Sequence, residues 1–205
     1  MYQKIKLYSK RNEVYRIINT NEYYISKLFC DAENFKKELE LLLLLKRAGA
    51  NVPKVIKSSK NELLMEDLGD MTLLSWYESL ERQNSYDYEQ TIMKLCSWLK
   101  NFYNITFNCF KESYILVDVN FRNFLINEDE IYGIDFEQSG FGKIETDAGK
   151  LAAYAFTYNP AATKWKKRFH DTFIEILCKE LQISKEIILI EEQKELKAIK
   201  NRRKY

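Results

Sequence analysis

The chain of 205 residues is 46% hydrophobic and carries 12 Phe and 14 Tyr, which is ample for a packed core and sets disorder aside. Its 32 basic and 30 acidic residues nearly cancel, and a net charge of +2 argues against a general nucleic-acid coat. A single histidine, His170, excludes catalysis by a histidine pair, and Cys30, Cys96, Cys109 and Cys178 follow no C-x-x-C spacing, so neither a zinc site nor a disulfide framework is indicated.

Lys4 to Tyr8, Glu13 to Ile18 and Tyr23 to Phe29 read as three strands, the last following a turn at Asn19-Thr20-Asn21. Alternation through Tyr23, Ile25, Lys27 and Phe29 sets Lys27 on an apolar face, where a lysine is almost never left without a partner. Asp31 or Asn34 caps a helix that runs to about Ala48 and is stopped by Gly49 and Pro53. Phe35, Leu39, Leu42, Leu43 and Leu45 form its apolar stripe. Glu38 borders that stripe and is the candidate partner of Lys27. Strands resume at Lys54 to Lys57 and Glu62 to Glu66, and Asp67-Leu68-Gly69-Asp70 follows as a hinge, Gly69 being permissive in backbone angle.

The remainder is mainly helical. Helices are expected at Leu73 to Leu80, Tyr88 to Tyr103, Thr146 to Thr157, Ala162 to Leu181 and Ser184 to about Lys200. Short strands interrupt them at Tyr114 to Val117, Phe124 to Ile126 and Ile131 to Ile134. The organisation is therefore α+β, with a strand-rich lobe over 1–66, a hinge over 67–70 and a helical lobe over 71–205. Met1 to Lys4 is not a signal peptide, and the leucine run Leu41 to Leu45 is too short to span a bilayer, so a soluble cytoplasmic protein without membrane contact is expected. The basic run Lys197 to Lys204 reads as a solvated helix end, and it is the one segment that offers a polyanion a hold.

The chemistry concentrates in Asp118-Val119-Asn120-Phe121-Arg122-Asn123, followed by an apolar strand and Tyr132-Gly133-Ile134-Asp135-Phe136-Glu137. Phosphoryl transfer from ATP needs a carboxylate to orient an attacking hydroxyl, and a second carboxylate with an amide oxygen to hold magnesium against the phosphates. Asp118, Asp135 and Asn123 carry those three groups. Asp135 ends an apolar run, where an unpaired carboxylate is costly and a metal ion removes the cost. Glu137 is either a further metal or substrate contact or a plain loop residue, and Asp147 reads as structural.

These motifs, in this order, resemble the protein-kinase-like fold in its aminoglycoside phosphotransferase and choline kinase branch, over roughly residues 5–160. Asn12-Glu13-Val14-Tyr15-Arg16-Ile17 looks like that branch's second strand, and Ile25-Ser26-Lys27 like its phosphate-gripping lysine, with Glu38 as the pairing helix glutamate. Met65-Glu66-Asp67-Leu68-Gly69 resembles the hinge, where the Glu66 carbonyl and the Leu68 N–H would meet adenine. Asp147-Ala148-Gly149-Lys150-Leu151 resembles the helix start whose aspartate holds the catalytic loop. The resemblance implies ATP and Mg2+ as cofactors and transfer of the γ-phosphate to a hydroxyl of a small molecule.

Two departures stand out. Leu116-Val117 precedes Asp118 where the branch has His-Gly, and no glycine occurs before Gly49, so Ser9-Lys10-Arg11-Asn12 is not a glycine-rich lid. Only 11 residues separate Asp135 from Asp147, too few for a long regulated activation loop, which favours a small acceptor. Two alternatives share the motifs: a small atypical protein kinase or assembly subunit like that of the tRNA threonylcarbamoyl-modification complex, and an inactive nucleotide-binding relative. Trp76, Tyr77, Tyr154, Tyr158 and Trp165 form the candidate wall of an acceptor pocket.

Overall fold

The computed structural model describes residues 2–20 and 22–202, and Asn21 of the expected turn lies outside them. Strands β1 (Tyr2–Leu7), β2 (Glu13–Asn19) and β3 (Glu22–Leu28) precede helix α1 (Ala32–Arg47), and β4 (Val55–Ser59) and β5 (Glu62–Glu66) follow it. They form one antiparallel sheet in the order β1-β2-β3-β5-β4. Lys27 stands opposite Val14 on one side and Leu63 on the other, in the middle strand of the five. The Asp31 side chain caps α1 by accepting the Asn34 N–H at 2.8 Å, and Gly49 ends it at φ 82°. Glu38 does not border the apolar stripe but lies within it, 2% exposed beside Leu41, Leu42 and Leu45, because the stripe wraps wide enough to include its position.

The second lobe begins with α2 (Leu73–Gln83) and α3 (Glu89–Phe110). Helix α3 runs a further seven residues past the expected Tyr103, with Thr106 fully buried inside that extension. Next come β6 (Tyr114–Ile115), a 3-10 turn at Phe121–Asn123, and the hairpin β7 (Phe124–Asn127) with β8 (Glu130–Gly133). A strand of two residues, β9 (Gly140–Phe141), pairs with β6 and is too short for sequence periodicity to reveal. Helices α4 (Ile144–Thr157), α5 (Lys164–Leu181) and α6 (Lys185–Arg202) close the fold.

The core runs through both lobes. Trp98 of α3 stacks with Phe102 and Phe136, at centroid distances of 5.7 and 6.2 Å, and its indole N–H donates to the Asn51 carbonyl at 2.8 Å. That same carbonyl accepts the Gly133 N–H at 3.1 Å, so the strand leading to Asp135 is hung on the junction of the lobes. Gly149 lets α6 cross α4 closely, since a Cβ there would stand 2.4 Å from that of Glu191. His170 ties α5 to α6 through Glu192 at 2.7 Å. Among the described residues, no helix is long and apolar enough to cross a membrane.

The candidate aromatic wall does not form. Tyr77, Tyr158 and Trp165 are 0%, 4% and 4% exposed and pack edge-on or tilted around Tyr77, with Trp76 half-buried against the same core. Aromatic residues at helical spacing are as readily core as cleft, and only Tyr154 of the five reaches the cleft.

Candidate active site

β3 delivers Lys27 into the space between the lobes, where its ammonium meets three carboxylates. Asp135 Oδ1 lies at 2.7 Å, Glu137 Oε2 at 3.3 Å and Glu38 Oε1 at 3.7 Å. Lys27 and Glu38 thus face each other, but the nearest partner of the lysine is Asp135. The other oxygen of Glu38 accepts the Phe136 N–H at 2.5 Å, which fixes it against the strand carrying Asp135. Burial opposes the charge on Lys27, yet Glu38, Asp135 and Glu137 together hold its ammonium above the ordinary lysine range. Burial likewise pushes the Glu38 carboxyl up, with Lys27 pulling the other way.

The loop that carries Asp118 is held by α4. Asp147 is fully buried and accepts the Leu116 N–H at 2.8 Å, the Val117 N–H at 3.1 Å and the Tyr103 hydroxyl at 3.1 Å. Burial pushes its carboxyl up to about 6 despite those donors. Lys150 Nζ donates to the Val117 carbonyl at 2.5 Å. Val117 therefore sits at φ 63°, a costly value for a β-branched residue that the surrounding bonds enforce. This network occupies the place where a loop histidine would help: Leu116 is buried and apolar, while Asp147 and Tyr103 do the hydrogen bonding.

Asp118 follows, exposed to the cleft. Its carbonyl accepts Asn123 Nδ2 at 2.7 Å, and its Oδ1 is 3.3 Å from Asn120 Nδ2. The Asn123 carbonyl in turn accepts the Ile134 N–H at 2.9 Å, so Asn123 and Asp135 are joined through one backbone bond. Asp135 itself is left-handed at φ 66°. With Nδ2 of Asn123 engaged, its amide oxygen receives no hydrogen bond from the described residues. No group of three or more His, Cys, Asp or Glu among the described residues could hold a metal.

Lys27, Asp118, Asn123 and Asp135 line one cleft of about 1010 Å³ between the lobes. Glu66 and Leu68 line the same cleft. Residues 67–70 are braced from β2, where Arg16 bonds Asp67 at 2.5 Å and Asp70 at 2.7 Å. On the Asp118 side the cleft is bounded by Tyr154 and by the end of α6, through Glu195, Ile199 and Arg202. The expected solvated tail is therefore only partly solvated: Lys197 and Lys200 are exposed, but Ile199 is 5% exposed and Arg202 bonds Glu195 at 2.5 Å. Residues 203–205 lie outside the described residues. Sequence reasoning also missed Tyr103 and Asn12, and left Glu137 undecided. Glu137 is 4% exposed and takes a hydrogen bond from Asn12 at 2.5 Å.

With this geometry in view, comparison with known proteins gives three findings. The family model of the RIO domain matches residues 1–143. No curated protein matches the chain. Among solved structures, amicoumacin kinase hAmiN in complex with AMP-PNP, Ca2+ and Ami superposes with a TM-score of 0.68 at 14% identity, covering 88% of this chain and 72% of that one. At that identity the likeness establishes the fold, a two-lobed kinase-like α+β architecture.

Proposed function

The chain belongs to the RIO domain family, within the protein-kinase-like superfamily, and on that premise we propose that it is an ATP-dependent phosphotransferase acting on a hydroxyl of a small molecule. The observation that carries this reading is the meeting of Lys27, Asp118, Asn123 and Asp135 in one cleft. Asp118, exposed and held by its loop, orients the acceptor hydroxyl and takes its proton. Lys27 turns its ammonium from Asp135 to the phosphates of ATP, as a point charge positioned by Glu38.

Magnesium fits the remaining groups. Three carboxylates meet two cations, Lys27 and the more distant Arg11, so the cluster keeps an excess of negative charge, and Asn123 adds an amide oxygen beside them. Hard oxygen ligands, one or two from protein and the rest from phosphate and water, are what this ion takes. Asp135 and Asn123 would hold it, and when bound it would neutralise charge developing on the phosphate oxygens. Positioning and electrostatics then supply most of the rate.

Two features favour a small acceptor over a protein. The end of α6 walls the Asp118 side of the cleft, and the short segment after Asp135 is pinned to β6 by β9 rather than extended as a docking platform. An ATP-consumption screen over amino-alcohols, sugars and nucleosides, with Asp118→Ala as control, tests the reading. Turnover with one class that vanishes in Asp118→Ala is expected. Tight Mg·ATP binding without turnover of any small acceptor would move the assignment to a protein acceptor or to an inactive nucleotide-binding relative. Absence of Mg-dependent ATP binding, or its survival in Asp135→Ala, would overturn the site itself.

A further inference from the structure

The turn between β1 and β2 lines the phosphate end of the cleft without any glycine, and none of Ser9 to Asn12 has a positive φ. A glycine-rich lid meets phosphates with its backbone N–H groups. A turn of side-chain-bearing residues cannot approach so closely, and something else has to hold it in place. Here the fixing is done by side chains. Asn12 Nδ2 donates to Glu137 Oε2 at 2.5 Å, while Asn12 Oδ1 accepts the Cys30 N–H at 3.2 Å. Cys30 Sγ closes the loop by donating to the Arg11 carbonyl at 3.0 Å.

Glu137 belongs to the other lobe, two residues past Asp135, and is buried. Besides Asn12 it faces Lys27 at 3.3 Å and Arg11 at 4.0 Å. One carboxylate of the helical lobe is thus shared by three groups of the sheet lobe, of which two are cations and one is a neutral amide. Arriving phosphates draw cations away from a carboxylate. They exert no such pull on an amide.

We propose that Asn12 is a positioning residue: its bond to Glu137 latches the glycine-free turn closed across the lobes, so that Lys10 and Arg11 present their charge to the phosphates. The proposal rests on the reading that the cleft takes Mg·ATP, but half of its test does not. Lys10 and Arg11 are themselves trypsin sites within the latched turn. In the nucleotide-free protein, Asn12→Ala is expected to raise cleavage after these two residues about tenfold, the low end for losing a hydrogen bond to a charged group. Mg·ATP affinity, measured by titration calorimetry, is expected to fall by about the same factor, with the thermal melting of the protein little changed.

Asn12→Asp retains an acceptor for the Cys30 N–H but sets two carboxylates face to face, and should open the turn further. Adding Glu137→Gln restores an amide–carboxylate bond with its polarity reversed, and should recover protection and affinity. Cleavage unchanged in Asn12→Ala, or a double variant no better than Asn12→Asp alone, would overturn the latch. A wild-type protein that shows this protection pattern but binds no Mg·ATP would keep the latch and overturn the phosphotransferase reading instead.

Discussion

Gly133→Ala is expected to damage both the core and the part of the cleft that Asp135 lines. A Cβ at Gly133 would stand 2.1 and 2.4 Å from Cζ2 and Cη2 of Trp98, against 3.4–4 Å for ordinary contact, so the indole would have to retreat by more than 1 Å. It has nowhere to go. Phe102 and Phe136 stack on it, Phe124 meets its edge at 5.3 Å, and its N–H is engaged by the Asn51 carbonyl. Overpacking of a dense core costs about 1–3 kcal/mol, and a clash with a ring held on all sides belongs at the upper end. Loss of the indole hydrogen bond adds about 1 kcal/mol. The sum, about 3–4 kcal/mol, is a large share of the stability of an ordinary domain. The displaced strand also carries Asp135 two residues on, so Mg·ATP affinity falls with stability. Urea denaturation followed by far-UV circular dichroism measures the first and calorimetry the second. Trp98→Phe removes the clashing atoms, and in a double-mutant cycle it should recover at least about 1 kcal/mol of the Gly133→Ala loss. A Gly133→Ala protein within about 0.5 kcal/mol of the parent, with no coupling to Trp98→Phe, would refute the reasoning.

Lys27→Ala strips the cation from three clustered carboxylates and is expected to cost about 3–5 kcal/mol. Millimolar Mg2+ should raise its melting temperature more than that of the parent, and equal responses would argue against the charge excess. Asp147, pushed up to about 6, keeps its proton in the folded chain over a pH range where the unfolded chain has lost it. Its contribution is therefore fully present below about pH 4 and is lost as pH rises through about 6, a change of about 3 kcal/mol. Asp147→Asn does not titrate, so its stability gap from the parent in urea should narrow across that window, and a flat gap would count against it. Deleting residues 198–205 removes Ile199 and Arg202 and leaves the buried Glu195 without its guanidinium, at a cost of about 1–3 kcal/mol. Acceptor turnover should fall while Mg·ATP affinity persists, and an unchanged turnover would detach α6 from the acceptor site.

Much of this architecture was legible because its elements are long and periodic. The sheet strands, α1 with its Asp31 cap and the order of the later helices all follow from spacing and punctuation residues. The motif carrying Asp118, Asn123 and Asp135 was readable because its members lie within 18 positions and are joined by a hairpin. Other features had no local signature. Asn12 and Glu137 are 125 positions apart, and nothing near either residue announces the other. The choice of Asp135 over Glu38 as nearest partner of Lys27 depends on how the lobes close. Helical spacing marked Tyr77, Tyr158 and Trp165 as apolar-facing, but it cannot say whether the face meets a ligand or Phe169. The basic tail read as solvated because its charges dominate the pattern, whereas its buried contact is made by Ile199.

The start of α4 has a consequence for how errors would spread through the molecule. Within three positions it carries Asp147, which holds the loop leading to Asp118, and Gly149, which seats α6. Lys27, by contrast, is anchored in the sheet, on β3, opposite Val14 and Leu63. A disturbance of α6 would reach Asp118 as a tilt rather than as a loss of ligand, slowing transfer while leaving ATP in place. Substitutions scattered along α4 and α6 should therefore sort together as variants of speed, and those along β1 to β5 as variants of occupancy.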